Sequence, residues 1–566
     1  MKEKLESKIL NIFKENNLDE KYAKVSISNR PELCDYQINS VFQIAKEERK
    51  NPIEVGEHIT NMINNCSDFD DYFDSVVFAK PGFINIKISD KLILNELNKN
   101  ISSGNFGIEK ISEDKTCVVD YGGPNIAKPL HVGHIRPAII GQSIYEILKE
   151  KGYKVIGDVH LGDFGLQMGQ VIYGLKKRGL SAKDINIEIL QDIYPKMSAL
   201  CKSDEDVASE CRKITKELQD GNNKEYNECF KAMYDASLND IKRIYKYLGV
   251  SFDYWYGERD SYKYMDDLMK FLESKGVVEI DDGAKIIRVA KEDDKKLVPP
   301  LIIQGKSGGF LYATSDLATI YQRMKDFNPD YMLYVVDNRQ SLYFEQVFRA
   351  CEISGLTDGV ILEHDAFGTI NGPDGKPFKT RSGETLKLDD LIEQTKQIFI
   401  SKKESNKNMK SSDIDIIVNS ILKFADLQNN REKNYIFDIE KFADVNGKTG
   451  PYILYTTVRI RKIINSNVVD NVLSNKIYNE DDRNLRKKLL EVNNVVSRAC
   501  DERMPHYIAE FLYDLAVLTN TFYQNNNISN LEDLDNKKDW VNLLSYTYSV
   551  MEKLLSLLII EIPSQM

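Results

Sequence analysis

The chain has 566 residues, of which 42% are hydrophobic and 29% are charged, and its formal net charge is −11. One hydrophobic core does not serve a chain of this length, so roughly three or four globular domains are expected. The acidic total excludes a uniformly basic surface, and a nucleic-acid partner would have to contact local basic patches. None of the eight cysteines forms a CxxC pair, so no protein-bound zinc is expected.

No stretch of the sequence has the length and apolar character of a membrane span. The segment MKEKLESKILNIFKENN alternates charged and apolar residues at helical spacing and lacks the apolar centre of a signal peptide. The longest apolar run, LLSLLII near residue 554, is far too short to cross a bilayer. We therefore expect a cytoplasmic protein that does not enter a membrane and whose cysteines are reduced.

The first predicted domain, residues 1–110, has an α+β pattern. Helical spacing alternates with SVVFAKPGFINIKIS, residues 75–89, which predicts two short strands around Pro81 and Gly82. The segment ISSGNFG then provides a loop at the boundary with the next domain.

The second predicted domain, residues 111–395, is a doubly wound α/β domain. Short apolar runs predict four buried parallel strands: KTCVVDY (115–121), YKVIGDVH (153–160), YMLYVVD (331–337) and GVILEHDAF (359–367). Helical patterns from about Leu130 to Lys151 and from about Leu342 to Ser354 connect them. An insertion of mostly charged helix, about residues 170–305, interrupts the domain and ends in a β-rich stretch.

The third predicted domain, residues 396–566, is an all-α helical bundle. It begins near a polar segment without periodicity, KKESNKNMKSSD (402–413). Helical spacing then continues through segments such as IDIIVNSILKFADL and YIAEFLYDLAVLTNTFY.

Two of the six histidines, His131 and His134, follow the first predicted strand of the α/β domain. Ligands of doubly wound sheets bind beyond the carboxyl ends of the strands. Pro129 fits a helix start, which would place both histidines on the first turns, where the helix dipole favours phosphate. The two imidazoles would donate hydrogen bonds to an α-phosphate as negative charge builds there. Gly133 lacks a side chain, so a flat base would fit against the backbone.

Taken alone, an HxxH pattern on a helix is more often surface chemistry or half of a metal site. A metal is disfavoured because no third ligand lies nearby in the sequence. The context favours the phosphate reading, since a strand, a Gly-Gly-Pro-Asn turn and a lysine precede the histidines.

The stretch PNIAKPLHVGH resembles the HIGH signature of class I aminoacyl-tRNA synthetases, in the form found in arginyl-tRNA synthetases. The N-terminal PGFIN resembles that family's additional domain, which contacts the tRNA elbow. Further similar motifs follow in the family's order: GDFGLQMGQ (162–170), FLYATSDLATI (310–320), YVVDNRQSLYFEQVF (334–348), GPDGKPFKTRSGETLKLDDLI (372–392) and GKTGPYILYTTVRI (447–460).

The resemblance implies a Rossmann-like catalytic domain and an arginine–tRNA ligase. Its substrates would be ATP with Mg²⁺, L-arginine and tRNA(Arg), and the chain is expected to be a monomer. Arginine would first form an adenylate, and the arginyl group would then pass to the 3′ end of the tRNA. Arginyl enzymes need bound tRNA before they activate the amino acid.

The resemblance also implies a lysine loop that closes over the β- and γ-phosphates. The family's KMSKS motif is degenerate here, and Lys379 is the main expected contact, with Lys376 as the weaker one. Lys128 would add another positive charge near the phosphates, and a solvated lysine beside a turn is an equally good reading of it.

By the same resemblance, Asp316 and Tyr312 face the guanidinium of arginine, while Asp120 and Asn125 hold its α-amino and α-carboxylate ends. Gln340 would also help to fix the substrate, and Asn125 would contact ATP as well. The alternative is that Asp120 is a helix cap and that Tyr312 and Asp316 belong to a packed helix start.

Two positions depart from the family's pattern, and two contact sites with tRNA rest on resemblance. Gly123 stands where relatives often have serine, and Tyr343 stands where many have histidine, which leaves the roles of both open. Contacts with tRNA would come from Phe83 and Asn85 at the elbow, and from basic residues near tyrosines at the anticodon, Arg459 and Arg461. A solvated helix face over a tyrosine core is the alternative for Arg459 and Arg461, and a purely structural role is likewise the alternative for Phe83 and Asn85.

Other functions make different predictions. A cysteinyl enzyme would have a zinc-binding thiol cluster, and a glutamyl enzyme would have a basic pocket where YATSD offers an acid. A tRNA-binding relative without catalysis would have lost the paired histidines or both loop lysines, and all four are present.

Overall fold

A computed structural model of the chain describes residues 1–30, 32–306, 308–376, 386–402, 408–470, 472–474 and 476–566. It divides into two compact units. The first contains Met1–Glu109, Ile453–Asp501 and Glu510–Leu554, and the second contains Lys110–Tyr452, Glu502–Ala509 and Leu555–Met566. These units cut the chain at other places than the three predicted domains, whose bounds stay predictions. Within the described ranges, every helix is too short or too polar to span a membrane.

The amino-terminal part of the first unit is a four-stranded antiparallel sheet covered by helices. The strands are β1 (Ser26–Ile27), β2 (Tyr36–Ile38), β3 (Phe73–Ala79) and β4 (Phe83–Ile88), in the order β1-β2-β4-β3. In β4, alternate residues Ile84, Ile86 and Ile88 are buried, as expected for a sheet with one face on the core. The predicted pair of strands around Pro81 and Gly82 is confirmed.

The helices of this part begin at polar caps. Ser89 accepts a hydrogen bond from the Leu92 amide at the start of the helix Asp90–Ser103, and Asn51 caps the helix Pro52–Asn64. The helices are α1 (Lys2–Glu15), α2 (Val41–Glu48), α3 (Pro52–Asn64), α4 (Phe69–Tyr72) and α5 (Asp90–Ser103).

The second unit contains a parallel sheet of four strands, which confirms the predicted doubly wound domain. The strands are β5 (Thr116–Asp120), β6 (Lys154–Asp158), β10 (Tyr331–Tyr334) and β11 (Ile361–His364). Their order is β11-β10-β5-β6. From β5 the chain moves to one side and from β10 to the other, so the order reverses between β5 and β10. Ligands bind at such a reversal, outside the carboxyl ends of the strands.

The helix after β5 begins later than predicted. Helix α6 spans Ile135–Glu150, and a 3-10 turn covers Val132–His134 before it. The prediction of a helix from about Leu130 is therefore wrong at its start. The reason lies in the backbone: the Val132 amide donates to the Leu386 carbonyl, and the His131 amide donates to Nδ1 of His134. An extended segment and a turn therefore replace the first helical turn.

The insertion consists of helices followed by a small antiparallel sheet, as predicted. Its first helix starts before residue 170. The elements are α7 (Leu166–Lys177), α8 (Ile187–Ser203), α9 (Glu205–Gln219), α10 (Lys224–Tyr247), α11 (Glu258–Tyr262), α12 (Met265–Ser274), β7 (Glu279–Asp281), β8 (Ala284–Ile287) and β9 (Leu301–Gln304).

Two helices flank β10 in the sequence, one before it and one after it. They are α13 (Tyr312–Phe327) and α14 (Ser341–Ser354). Both pack on a core of buried residues that includes Met332 of β10 and Leu317 of α13. This packing places the first turns of both helices next to the carboxyl ends of the strands.

The described residues of the carboxyl-terminal part are mostly helical and include one short strand pair, β12 (Ile370–Asn371) with β13 (Tyr435–Ile436). In the second unit the helices are α15 (Leu388–Ser401), α16 (Ser411–Leu427) and α17 (Ile439–Phe442). The remaining helices are α18 (Gly450–Asn465), α19 (Glu480–Leu489), α20 (Val492–Asp501), α21 (His506–Asn525) and α22 (Leu534–Leu557).

Within the first unit, α19 is tied to the amino-terminal sheet by ion pairs. Arg483 donates to Asp35 at 2.9 Å and to Asp90 at 3.0 Å, and Arg483 and Asp35 are both buried. A buried guanidinium is stable only with such partners, because removing an ion from water is costly.

Candidate active site

Two cavities open where the strand order reverses, beyond the carboxyl ends of β5 and β10. The larger, of about 480 Å³, is lined by His131, Gly133 and His134 among others. The smaller, of about 280 Å³, is lined by side chains from several helices and loops. The two share a wall formed by Asp120, Gly123, Val336 and Gln340. Ligands in the two cavities would therefore meet at this wall.

The paired histidines of the larger cavity are held by backbone amides. The His131 amide donates to Nδ1 of His134 at 3.0 Å, and the Gly133 amide donates to Nδ1 of His131 at 3.1 Å. The two rings lie 3.9 Å apart between centroids. In a neutral imidazole that accepts at Nδ1, the proton sits on Nε2. Each ring therefore has an N–H donor on its far side.

The surroundings of both histidines favour the neutral form of the ring. Burial lowers the pKa of His131, and the positive charge of Lys128 adds to this effect. Burial lowers the pKa of His134 to about 3, with smaller contributions from His131 and Lys128. A neutral donor suits a group that stabilises developing negative charge without giving up its proton.

Gly133 has a second role that the sequence did not indicate. A Cβ at this position would lie 3.0 Å from Cε1 of the His131 ring. The missing side chain therefore leaves room for the imidazole that folds back over the turn.

In the smaller cavity, Asp316 is held from two sides. Its Oδ2 accepts a hydrogen bond from the Tyr343 hydroxyl, and its Oδ1 lies 3.8 Å from Nε2 of His160. Burial raises the pKa of Asp316, while His160 and the Tyr343 hydrogen bond act in the opposite direction. Asp316 was predicted as an arginine ligand, but neither His160 nor Tyr343 was expected to contact it.

A second carboxylate of the smaller cavity, Glu258, was missed in the sequence. It lines the cavity at the start of α11 and accepts from the Phe164 amide at 3.2 Å. Its pKa is raised to about 7, mainly by burial; the nearby Asp163 and Asp316 also raise the pKa, while His160 lowers it. In the sequence, Glu258 resembles any acidic residue at a helix start, and only the fold brings it beside Asp316.

Asp120, at the end of β5, lines both cavities but is already paired. The guanidinium of Arg323 donates to Asp120 at 2.7 Å and to Asp158 at 2.6 Å. The Arg323 side chain is fully buried and also lies 5.5 Å from the ring centroid of Tyr334. The negative charge of Asp120 is therefore compensated in part from within the protein, since one guanidinium is shared by two carboxylates. Arg323 carries no motif that would have revealed this role.

The other predicted arginine ligands also line the smaller cavity: Asn125, Tyr312 and Gln340. Tyr312 is 65% exposed at the start of α13. Asn125 packs against Gly162, and a Cβ added to Gly162 would lie 2.3 Å from Oδ1 of Asn125. The structure thus gathers all five predicted arginine ligands around one cavity.

The predicted phosphate-binding lysines Lys376 and Lys128 lie less close to the two cavities than the predicted arginine ligands do. Lys376 is exposed, in a turn in which the Gly372 amide donates to the Lys376 carbonyl. Nζ of Lys128 lies 5.5 Å from the ring centroid of Tyr194. Among the described residues lining the two cavities, neither lysine appears. Lys379 lies outside the described residues, and its role stays a prediction.

The predicted tRNA contacts lie in the first unit. Phe83 is 39% exposed, and the Asn85 side chain accepts from Gln37 at 2.8 Å. On α18, the guanidinium of Arg459 lies 4.2 Å from the ring centroid of Tyr523, and Arg461 is on the same helix. These residues stay predicted contacts.

No metal centre is formed by the part of the chain described in the structure, where no three histidine, cysteine, aspartate or glutamate side chains are arranged to hold an ion.

Three family models match the chain in succession. They are the arginyl tRNA synthetase N-terminal domain over residues 1–88, the class I (R) tRNA synthetase catalytic domain over 96–439, and the DALR anticodon-binding domain over 453–566. The doubly wound sheet with its paired histidines is thus the catalytic unit of a class I aminoacyl-tRNA synthetase.

Relatives of known function narrow the assignment. The arginine–tRNA ligase of Alkaliphilus oremlandii is 39% identical over 98% of each chain, and that of Agathobacter rectalis is 38% identical over 99% of each. The arginyl-tRNA synthetase structure from Plasmodium falciparum superposes with a TM-score of 0.80 at 23% identity, covering 100% of this chain and 99% of that one. The chain belongs to the arginyl-tRNA synthetase family, and its activity is that of an arginine–tRNA ligase.

Proposed function

We propose that the smaller cavity binds L-arginine and the larger cavity binds ATP. The wall shared by the two cavities is the observation that carries this assignment. It brings the carboxylate of arginine next to the α-phosphate of ATP, which is the contact that adenylate formation requires. Catalysis of this kind depends on positioning and charge stabilisation more than on a protein nucleophile.

In this proposal, Asp316 and Glu258 bind the guanidinium. A guanidinium is planar and always charged, and it presents its donors as a fork that matches carboxylates. Citrulline lacks the charge and lysine lacks the fork, so both would leave buried carboxylates without a matched partner. Tyr312 covers the guanidinium, while Asn125 and Gln340 contact the α-amino and α-carboxylate groups. Asp120 contributes to that end mainly as an oriented acceptor, since its charge is paired.

The paired histidines act on the α-phosphate. One carboxylate oxygen of arginine attacks the α-phosphorus, and the bond to the leaving pyrophosphate breaks. The Nε2–H groups of His131 and His134 donate to the α-phosphate oxygens as charge accumulates on them. In the second step, a hydroxyl of the terminal ribose of the tRNA attacks the arginyl carbonyl and AMP leaves.

The remaining groups complete the proposal. Lys376, Lys379 and Lys128 neutralise the phosphates, and Mg²⁺ arrives with ATP as part of the substrate. Phe83, Asn85, Arg459 and Arg461 contact tRNA(Arg). The domains have the bounds 1–110, 111–395 and 396–566, and the enzyme works as a cytoplasmic monomer.

Pyrophosphate exchange with each of the twenty amino acids, with and without tRNA(Arg), tests this assignment. We expect exchange with arginine alone among them, and a strong dependence on tRNA. Exchange with another amino acid at a comparable rate would contradict the assignment of the acidic cavity. Sedimentation of the purified chain at working concentration tests the monomer.

A further inference from the structure

Asp316 and Tyr343 come from two different helices that meet at the smaller cavity. Asp316 is on the first turns of α13, and Tyr343 is on the first turn of α14. Both line the cavity, and the Tyr343 hydroxyl donates to Oδ2 of Asp316. In the described part of the chain, Tyr343 is the only donor within hydrogen-bond distance of this carboxylate, since Nε2 of His160 is 3.8 Å from Oδ1.

The position of Tyr343 is itself fixed by packing. Its ring meets that of Phe344 edge to face, with 5.7 Å between centroids. It packs against a hydrophobic core cluster that contains Leu317 and Ala318 of α13. A phenol ring held in this way has few alternative rotamers, so its hydroxyl is a fixed point for the carboxylate.

A forked cation binds a carboxylate well only when the two groups lie in one plane. The terminal torsion of an aspartate is broad, so the carboxylate of Asp316 can turn unless something holds it. The hydrogen bond from Tyr343 uses one lone pair of Oδ2, and both oxygens keep a lone pair for a ligand. The bond therefore fixes the plane of the carboxylate without blocking it.

We propose that Tyr343 is a positioning residue for arginine recognition, which acts by holding the carboxylate of Asp316 in the plane that the guanidinium requires. This inference rests on the proposed function, in which Asp316 binds the guanidinium. It gives a role to a position at which the sequence departs from the family's pattern.

The test uses Tyr343→Phe in the full-length enzyme, a change that removes one oxygen atom. Pyrophosphate exchange in the presence of tRNA(Arg) gives KM for arginine, KM for ATP and kcat. We expect KM for arginine to rise by at least about tenfold, the scale for a lost hydrogen bond to a charged group. KM for ATP and kcat should change by less than about twofold, because the larger cavity keeps its residues.

A double-mutant cycle with Asp316→Asn separates positioning from a general packing effect. If Tyr343 acts through Asp316, Tyr343→Phe should raise KM for arginine much less when Asp316 is already replaced. Tyr247→Phe is the matched control, because its hydroxyl is shielded and has no hydrogen-bond partner among the described residues. This control should leave KM for arginine unchanged.

Each result decides one point. An unchanged KM for arginine in Tyr343→Phe, or additive effects in the cycle, overturns the inference about Tyr343 while leaving the arginine site in place. If Asp316→Asn also leaves KM for arginine unchanged, the proposed arginine site fails and the inference fails with it. A lowered melting temperature with unchanged KM for arginine would make Tyr343 a structural residue, which also overturns the inference.

Discussion

The two adjoining cavities are built in different ways. The residues of the larger one that carry a predicted role, His131, Gly133 and His134, come from a single turn and are held by that turn's own amides. The smaller one gathers His160, Glu258, Asp316 and Tyr343 from four separate segments. A short motif can specify the first kind of site, whereas the second exists only after long-range packing. The larger cavity should therefore be sensitive to local changes, and the smaller one to changes in the supporting core.

Arg323→Met should have the largest effect, because it removes the cation beneath the wall shared by the cavities. Asp120 and Asp158 would lose the cation that pairs with both of them, and breaking a buried ion pair costs about 3–5 kcal/mol. We expect a large fall in the urea concentration at the midpoint of unfolding of the unit that contains β5 and β6. Fluorescence is the signal by which unfolding is measured. Arg288→Met, at an ion pair that is more than half exposed, is the control and should not move the midpoint measurably. Equal shifts for the two variants would show that the buried pair is not a support of the site.

His134→Ala should lower the rate of adenylate formation by about 100- to 1,000-fold while leaving KM for ATP nearly unchanged. This is the usual loss for one donor that acts in the transition state. His134→Gln, which places an amide N–H near the former Nε2, should recover part of the rate. His58→Ala, at an exposed histidine of the first unit, is the matched control. A normal rate in His134→Ala would remove this histidine from the mechanism and weaken the contrast between the cavities.

Glu258 should give arginine binding a dependence on pH. Burial raises its pKa to about 7, and the protonated form cannot pair with a guanidinium. The kcat/KM for arginine in the free enzyme should therefore rise with pH through a midpoint near 7, and the raised pKa of Asp316 adds to the same limb. Glu258→Gln should lower kcat/KM by about tenfold above this midpoint, the scale of a hydrogen bond to a charged group, and flatten the profile. A profile identical to that of the unaltered enzyme would exclude Glu258 from the site.

Gly133→Ala should have the smallest effect. The new methyl group would lie 3.0 Å from the His131 ring, so the ring must move by a few tenths of an ångström. We expect a reduction of a few-fold in adenylate formation with little change in KM for arginine. A larger change in KM for arginine than in kcat would mean that the turn also supports the neighbouring cavity, and the two sites would then be less independent than their construction suggests.

The sequence was sufficient for the strands and for the histidine turn, because both depend on neighbours in the chain. Runs such as TCVVD bury nearly every residue, and the two histidines interact within one turn. It was insufficient for the start of α6, where the Val132 amide bonds to Leu386. It was also insufficient for Glu258, Arg323 and Tyr343, whose partners lie far away in the chain. Partners of that kind leave no local periodicity from which they could be inferred.

The two ion pairs of Arg323 also determine when the site can form during synthesis of the chain. Asp158 and Arg323 are 165 positions apart, and the whole insertion is made between them. A nascent chain that already displays the histidine turn still lacks the cation that joins the ends of β5 and β6. The wall shared by the two cavities can therefore form only after α13 has left the ribosome. Premature termination within the insertion would yield a product that has the histidine motif but lacks a formed site.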